Sequence, residues 1–223
     1  MVKWVVCVEG LIGVGKSTLC KHVEKENIKG VKVLQEPVDD WRGCEISDGK
    51  NLLECMYDGT IPSSLFQLSV LQSRFGPLVQ ALCNPEVDVV VSERGPWSEK
   101  YVFAKSNLND AEFKCYEYAH AALIRDLLPV CGSIKVLFLH LSMPADSVME
   151  RIAKRGRAEE AGITEEYLKK LESAHVDMKK ALKLPEHLGS CSIAEVKTVD
   201  IYADQSENDL ASVAVDTISR MCV

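Results

Sequence analysis

The sequence predicts a doubly wound α/β domain built on a parallel sheet. Three observations carry that expectation. Five apolar runs lack strict alternation, so they read as strands covered on both faces. Segments of helical periodicity separate them, and a glycine-rich turn joins the first run to the first helix. With 223 residues, 47% of them hydrophobic, the chain can fill the core of one compact domain spanning 1–223. No internal repeat or low-complexity linker divides it.

The first strand is WVVCVE, Trp4 to Glu9, and the turn behind it opens a helix from Ser17 to Glu26. VKVLQE, Val31 to Glu36, makes the second strand, and Asp39 to Thr60 follows without a clear period. A long helix runs from Pro62 to Leu82, with Pro62 in a first turn where its missing N–H is not needed. VDVVVSE, Val87 to Glu93, is the third strand; a helix from Asp110 to Leu128 then stops at Pro129. IKVLFLHL, Ile134 to Leu141, and EVKTVDIY, Glu195 to Tyr202, complete the five. Between them, Leu168, Leu171, His175, Met178 and Leu182 recur at helical steps behind an acidic TEEY turn. Leu210, Val213, Ala214, Thr217, Ile218 and Met221 give the last helix a similar face.

A formal charge of −7 and a pI near 5.3 exclude a general nucleic-acid coat, while leaving room for a local basic pocket. Nine cysteines stand singly in apolar segments with no CxxC pair, so they read as mostly buried free thiols of a reducing compartment. No apolar leader precedes the first motif, and no run reaches membrane-spanning length. The expectation is a cytoplasmic protein with no membrane or nucleic-acid partner.

GLIGVGKS satisfies GxxxxGK[ST] after a strand and before a helix, the context in which that pattern holds phosphate. Gly10, Gly13 and Gly15 let the backbone N–H groups around Val14 converge on phosphate oxygens, at the positive end of the helix whose first residues are Ser17 and Thr18. Lys16 can reach the outer phosphates, and the Ser17 hydroxyl suits Mg²⁺. The expected architecture is therefore a P-loop NTPase-like three-layer fold: a five-stranded parallel sheet flanked by helices, with an arginine-rich lid.

Glu36 and Glu93 end strands on the sheet edge that carries the glycine turn, where ligands bind in such folds. One acid can help hold Mg²⁺ while the other takes a proton from an attacking hydroxyl; solvated acids closing strands are the plainer reading. Arg94 follows Glu93 and offers directed donors beside them. Phe66, Val70 and Arg74 are spaced by four on the long helix, with Gln67 adjoining, and a buried Gln matches a nucleobase edge by offering donor and acceptor together. A half-buried helix with its polar side chains outward explains the same spacing. VMERIAKRGRAEEAG, a lid at about 151–162, carries Arg151, Arg155 and Arg157 around a bendable Gly156. These cations can clamp β- and γ-phosphates, although a run of mixed charge is more often a solvated face.

These pieces together resemble the cellular deoxynucleoside kinase family, which includes deoxycytidine, deoxyguanosine and mitochondrial-type thymidine kinases and the insect multisubstrate enzyme. The markers are VEGLIGVGKST, EPVDDW at Glu36 to Trp41, the pair Phe66–Gln67, SER and YVFA between Ser92 and Ala104, and RIAKRGRAEE followed by YLKKLESAH. The resemblance implies ATP-dependent, Mg²⁺-dependent phosphorylation of a deoxynucleoside 5′-hydroxyl by a homodimer. It implies Glu36 as general base, Glu93 beside Mg²⁺, and Arg94 on the hydroxyl. Gln67 would pair with the base and Phe103 stack on it, with Phe66 and Trp41 completing the pocket. Tyr57 and Glu160 would grip the sugar 3′-hydroxyl. Arg151, Arg155 and Arg157 would hold phosphates, and adenine would rest on Arg155 and the segment Ala203 to Gln205, including Asp204.

The departures concern the base. Gly95 and Pro96 stand where the family usually has Ser after Glu–Arg, and Glu99 replaces the Asp of the deoxycytidine and deoxyguanosine branch, with Val70 and Arg74 beside it. The acid–arginine pairing points to deoxycytidine or a purine deoxynucleoside over thymidine. A thymidylate-kinase-like monophosphate kinase would want a cation where Glu36 stands, and usually carries DR rather than ER. A degenerate switch or partner-binding module would lack one acid or lid arginine, and all are present.

Overall fold

The computed structural model describes residues 2–127, 133–157, 160–182, 193–202 and 207–220. In chain order the elements are β1 (Lys3–Gly10), α1 (Lys16–Lys25), β2 (Val31–Leu34), α2 (Val38–Gly43), β3 (Glu45–Ser47), β4 (Lys50–Asn51), α3 (Leu52–Tyr57) and α4 (Ser63–Cys83). There follow β5 (Val89–Glu93), the short α5 (Pro96–Ser98), a π-helical turn (Glu99–Ala104), α6 (Lys105–Asn107), α7 (Asp110–Leu127), β6 (Ile134–Ser142), α8 (Ala145–Arg155), α9 (Glu165–Ala181), β7 (Ile193–Tyr202) and α10 (Glu207–Ser219).

The main sheet has five parallel strands in the order β2–β5–β1–β6–β7. Helices flank it: α1 packs on α10, while α4 packs on α7 and the π-helical turn. Val5, Val6, Val8, Val89 to Val91 and Val136 to Leu139 are buried, which is why these strands lack a polar alternation. The register pairs Val8 with Glu93 and Gly10 with Leu141. It thereby gathers the glycine turn and the ends of β2 and β5 on one edge.

Several boundaries differ from expectation. β2 ends at Leu34, so Glu36 lies two residues past the strand and is aimed by its own contacts. Pro62 caps α4 from outside its first turn. The stretch Asp39 to Thr60 holds α2, a β3–β4 hairpin and α3, whose start is fixed by a reciprocal Asn51–Glu54 capping box. On α10, Leu210, Ala214 and Ile218 are buried as expected, but Val213 is exposed and Ala211 takes its place inward. Met221 and Pro129 lie outside the described residues. Six described cysteines are in no disulfide; Cys7, Cys20 and Cys55 are buried, but Cys44, Cys83 and Cys115 are exposed, the first two at helix ends. No described helix is long and apolar enough to cross a membrane.

His175 on the inner face of α9 meets His140 of β6 edge-on, with ring centroids 5.1 Å apart. Burial lowers both affinities for protons, with nearby Lys179 also acting on each; His140 falls to about 4. The unfolded chain protonates both rings near their ordinary value while the folded chain resists. Their contribution is therefore complete above about pH 6.5 and is lost as pH falls toward 4. Thermal melting should show Tm falling across that window, and His175→Leu should flatten the slope. An equally steep slope in the variant would contradict this origin.

Candidate active site

The glycine loop owes its shape to three residues at positive φ: Gly10 (135°), Gly13 (82°) and Gly15 (110°). A Cβ on Gly10 would run into the Leu141 carbonyl, and one on Gly13 would lie 2.8 Å from Ile152 Cγ1. Lys16 Nζ donates to the Leu11 carbonyl at 2.7 Å. Burial, then Arg94, brings the Lys16 ammonium down to about 7, against the opposing pull of Glu93, Glu36 and Glu9. A phosphate arriving in the loop would restore its charge. Ser17 Oγ donates to Glu93 Oε1 at 2.7 Å, which places a hydroxyl and a carboxylate together at the first turn of α1. Those two groups fit the hard oxygen set that Mg²⁺ requires.

Glu36 lies beside this pair. Its backbone N–H donates to Glu93 Oε2 at 3.3 Å, and its carboxylate accepts a hydrogen bond from Arg74. Burial alone would raise the Glu36 carboxyl, yet Arg74, Arg94, Lys16 and Arg157 together hold it below the ordinary value. It is therefore an ionised acceptor at neutral pH.

Arg94 adopts a left-handed φ of 65°, and only 3% of it is exposed. It donates to the Gly10 carbonyl at 3.0 Å and lies 4.4 Å from the Phe103 ring centre. Glu9, which the sequence reading passed over, fixes this turn. Its Oε1 accepts the Gly95 N–H at 2.9 Å and its Oε2 sits 4.0 Å from Arg94. Burial pushes the Glu9 carboxyl up to about 7 in spite of Arg94. Its signal was a lone acid at the end of an apolar strand.

The opposite wall is aromatic. Trp41 and Phe66 pack edge-on at 6.2 Å, with Val70 in the same cluster. Trp41 Nε1 donates to Ser73 Oγ at 3.0 Å, and the Arg74 guanidinium lies 5.3 Å from the Trp41 ring centre. Glu99 opens the π-helical turn with Phe103 four residues on. Arg74 Nη1 is 3.1 Å from Glu99 Oε1, yet without hydrogen-bond alignment. Three buried polar atoms here have no hydrogen-bond partner: Gln67 Oε1, Glu99 Oε1 and Arg74 Nε. Leaving such groups without partners is costly, so a ligand that supplied them would be favoured at this wall.

Gly95 stands where a side chain has no room. A Cβ at that position would fall 2.5 Å from Cys7 Sγ, so any larger residue there would force Cys7 to shift.

The last wall is cationic. α8 ends at Arg155 because Gly156 turns left-handed at φ 65°. Arg151 Nη1 donates to the Val14 carbonyl at 3.2 Å, reaching back over the glycine loop. Arg155 grips Glu160 through both Nε and Nη2, at 3.1 and 2.6 Å to Oε2, and Arg157 approaches the same acid at 3.3 Å. Glu160, expected on a sugar hydroxyl, is thus bound to the lid arginines.

One cavity of about 940 Å³ joins these walls. Lys16, Ser17, Thr18, Glu36, Glu93, Arg94 and the three lid arginines line one part of it. Trp41, Tyr57, Phe66, Gln67, Val70, Arg74, Glu99, Phe103 and Glu160 line the rest. Gly10 shapes the loop from behind, and Asp204 lies outside the described residues. Asn107 and Tyr167 are among the lining residues that the sequence did not single out: Asn107 donates to the Tyr167 hydroxyl at 3.1 Å. Sixty positions separate them, and only the fold joins the two.

A phosphate loop opening into a pocket with a second, aromatic and polar wall suits a kinase that transfers a phosphoryl group from a nucleotide to a small acceptor. The family profile described as deoxynucleoside kinase matches residues 6–221, and the chain belongs to that family. It is accordingly a nucleotide-dependent phosphotransferase acting on deoxynucleosides. A deoxycytidine kinase 2 of Gallus gallus is 31% identical over 192 residues, covering 76% of this chain and 71% of the relative. A thymidine kinase of Ictalurid herpesvirus 1 is 35% identical over 169 residues, covering 75% and 70%. A mitochondrial deoxyguanosine kinase of Xenopus laevis is 29% identical over 188 residues, with 75% and 70% covered. These comparisons lend no support to a monophosphate kinase.

Proposed function

We propose that the protein transfers the γ-phosphoryl group of ATP to the 5′-hydroxyl of a 2′-deoxynucleoside, in salvage of DNA precursors, with deoxycytidine or a purine deoxynucleoside preferred over thymidine. The observation that carries the reading is the acid arrangement: Glu93 tied to Ser17, with Glu36 ionised beside it on the same cavity. Glu36 accepts the proton as the 5′-oxygen attacks, and Arg94 orients that oxygen. Lys16 and the glycine loop hold the donor phosphates, while Arg151, Arg155 and Arg157 offset the charge that spreads over the transferring group. Ser17 and Glu93 would hold Mg²⁺, which would supply positive charge against the donor phosphates. Tyr57 and Glu160 line the same cavity and take the sugar 3′-hydroxyl.

The base preference rests on the polar atoms of this wall. Gln67 Oε1, which accepts no hydrogen bond, and Glu99 Oε1, ion-paired with Arg74 at 3.1 Å without an aligned hydrogen bond, match a base edge carrying an amino group, while Arg74 Nε can serve an acceptor. Thymine offers a single N–H there. Phe103 and the Trp41–Phe66 pair hold the ring. The extra methylene of Glu99 relative to Asp limits discrimination to about 1–3 kcal/mol. Competition among the four natural deoxynucleosides, with ATP and Mg²⁺, should give the highest kcat/KM to one bearing an amino group; thymidine in first place would contradict the assignment of Gln67 and Glu99.

The free cysteines suit a reducing compartment, and we infer the cytoplasm. A homodimer through helices is the expected assembly, and the exposed Leu65 of α4 and Tyr118 of α7 offer it apolar surface.

A further inference from the structure

Glu9 is wholly buried and stands behind the cavity wall, whereas Arg94 beside it reaches the cavity. The register sets Val8 opposite Glu93, so the next residue of β1 meets the turn that leaves β5. There Arg94 holds its left-handed φ of 65°, which a residue with a side chain keeps only where its surroundings fix it. The contacts that fix it can be traced. The Arg94 N–H donates to the Val8 carbonyl at 2.9 Å. The Gly95 N–H, redirected by the left-handed residue before it, donates to Glu9 Oε1 at 2.9 Å, with Ser98 Oγ a longer second acceptor at 3.4 Å. Ser98 Oγ in turn donates to the Gly95 carbonyl at 3.0 Å. With the turn so held, Arg94 Nη1 reaches the Gly10 carbonyl and the guanidinium lies over the Phe103 ring. We propose that Glu9 is a positioning residue for phosphoryl transfer: by accepting the Gly95 N–H it holds the left-handed turn that aims Arg94 at the acceptor oxygen. The proposal rests on the reading of Arg94 as the residue that orients that oxygen.

Two properties of Glu9 act on this turn, and the distances rank them. The contact to Gly95 has the length of a full hydrogen bond. Oε2 lies 4.0 Å from Arg94 Nη1 and has no hydrogen-bond partner, so its pull on the guanidinium lacks direction. A hydrogen bond to the peptide after Arg94 fixes the backbone from which a long side chain projects. A small change there is carried to the guanidinium, and a misplacement of about 1 Å can cost about 10²-fold in transfer between bound groups. An apolar side chain would fill the Glu9 site without the cost of stripping water from a carboxyl group. What it would not supply is the acceptor for Gly95.

The test compares Glu9→Gln with Glu9→Asp, which exchange the two properties. Gln keeps an oxygen within reach of the Gly95 N–H and loses the charge. Asp keeps the charge and withdraws the oxygen by one methylene. Single-turnover transfer to the best of the four deoxynucleosides, at saturating ATP and Mg²⁺, should fall by less than about threefold in Glu9→Gln and by about tenfold or more in Glu9→Asp. Affinity for a nonhydrolysable ATP analogue should stay within about twofold of the parent in both. In an Arg94→Met background Glu9→Asp should cost nothing further, because no guanidinium is left to aim. Circular dichroism and thermal melting establish which variants fold. Should Glu9→Asp fail to fold, Glu9→Met fills a similar volume without an acceptor and carries the same expectation. A Glu9→Asp rate at the parent level would overturn the proposal. So would a Glu9→Gln loss as large as that of Glu9→Asp, which would make charge the agent. A matching fall in ATP affinity, or a loss that persists without Arg94, would also overturn it and assign Glu9 to the stability of the glycine loop. Arg94→Met alone tests the reading beneath. If it keeps full activity, Arg94 does not orient the acceptor. If it is impaired while Glu9→Asp is not, the positioning role alone is wrong.

Discussion

Glu36→Gln should lower kcat by about 10²–10⁴, the share that a positioned general base contributes. The amide keeps the size of the side chain and can still accept from Arg74, so the pocket wall should survive. What it loses is affinity for a proton. Binding of a nonhydrolysable ATP analogue, followed by calorimetry, should stay near the parent value, because Lys16, Ser17 and the glycine loop are untouched. The deoxynucleoside KM should also change little. A loss confined to the chemical step separates a base from a binding residue, since only the former acts in the transition state alone. A fully active variant would remove Glu36 from the mechanism.

Arg155→Ala should cost about 10³ or more in kcat, by analogy with cationic clamps on a transferring phosphoryl group. Here the structure adds a second consequence. Arg155 makes the two-nitrogen grip on Glu160, so its removal leaves that acid to Arg157 alone. Glu160 would then be freer to meet the sugar in the absence of donor, and deoxynucleoside binding should not weaken in step with kcat. Steady-state kinetics with varied ATP and varied deoxynucleoside would resolve the two effects. A fall in kcat of less than about tenfold would mean that the lid arginines are a solvated charged face, and that they do not clamp phosphate.

Much of this architecture was legible because a few physical demands leave strong traces. Strands covered on both faces must be apolar throughout, so Trp4 to Glu9 and Ile134 to Leu141 announced themselves. A loop that wraps phosphates with backbone N–H groups needs glycines at fixed steps, and Gly10, Gly13 and Gly15 have the positive φ that this predicts. The hairpin Glu45–Ser47 with Lys50–Asn51 left no such trace, since its short strands are mostly exposed and no core imposes a period. Glu36 illustrates a different limit. Its type and place were readable, but its orientation depends on Arg74, 38 positions away on another element. Glu9 hid for a related reason: its value lies in the Gly95 N–H and Arg94, which only the pairing of β1 with β5 brings near. The inward turn of Ala211 in place of Val213 shows that two adjacent helical faces can be hard to rank when both are apolar.

The most direct test is a crystal structure of the ternary complex with deoxycytidine, Mg²⁺ and a nonhydrolysable ATP analogue. The 5′-oxygen should lie within hydrogen-bond reach of the Glu36 carboxylate and in line with the γ-phosphorus, with Mg²⁺ near Ser17 and Glu93. A complex in which Glu36 turns out of the crevice, or in which an acceptor phosphate fills its place, would contradict the account.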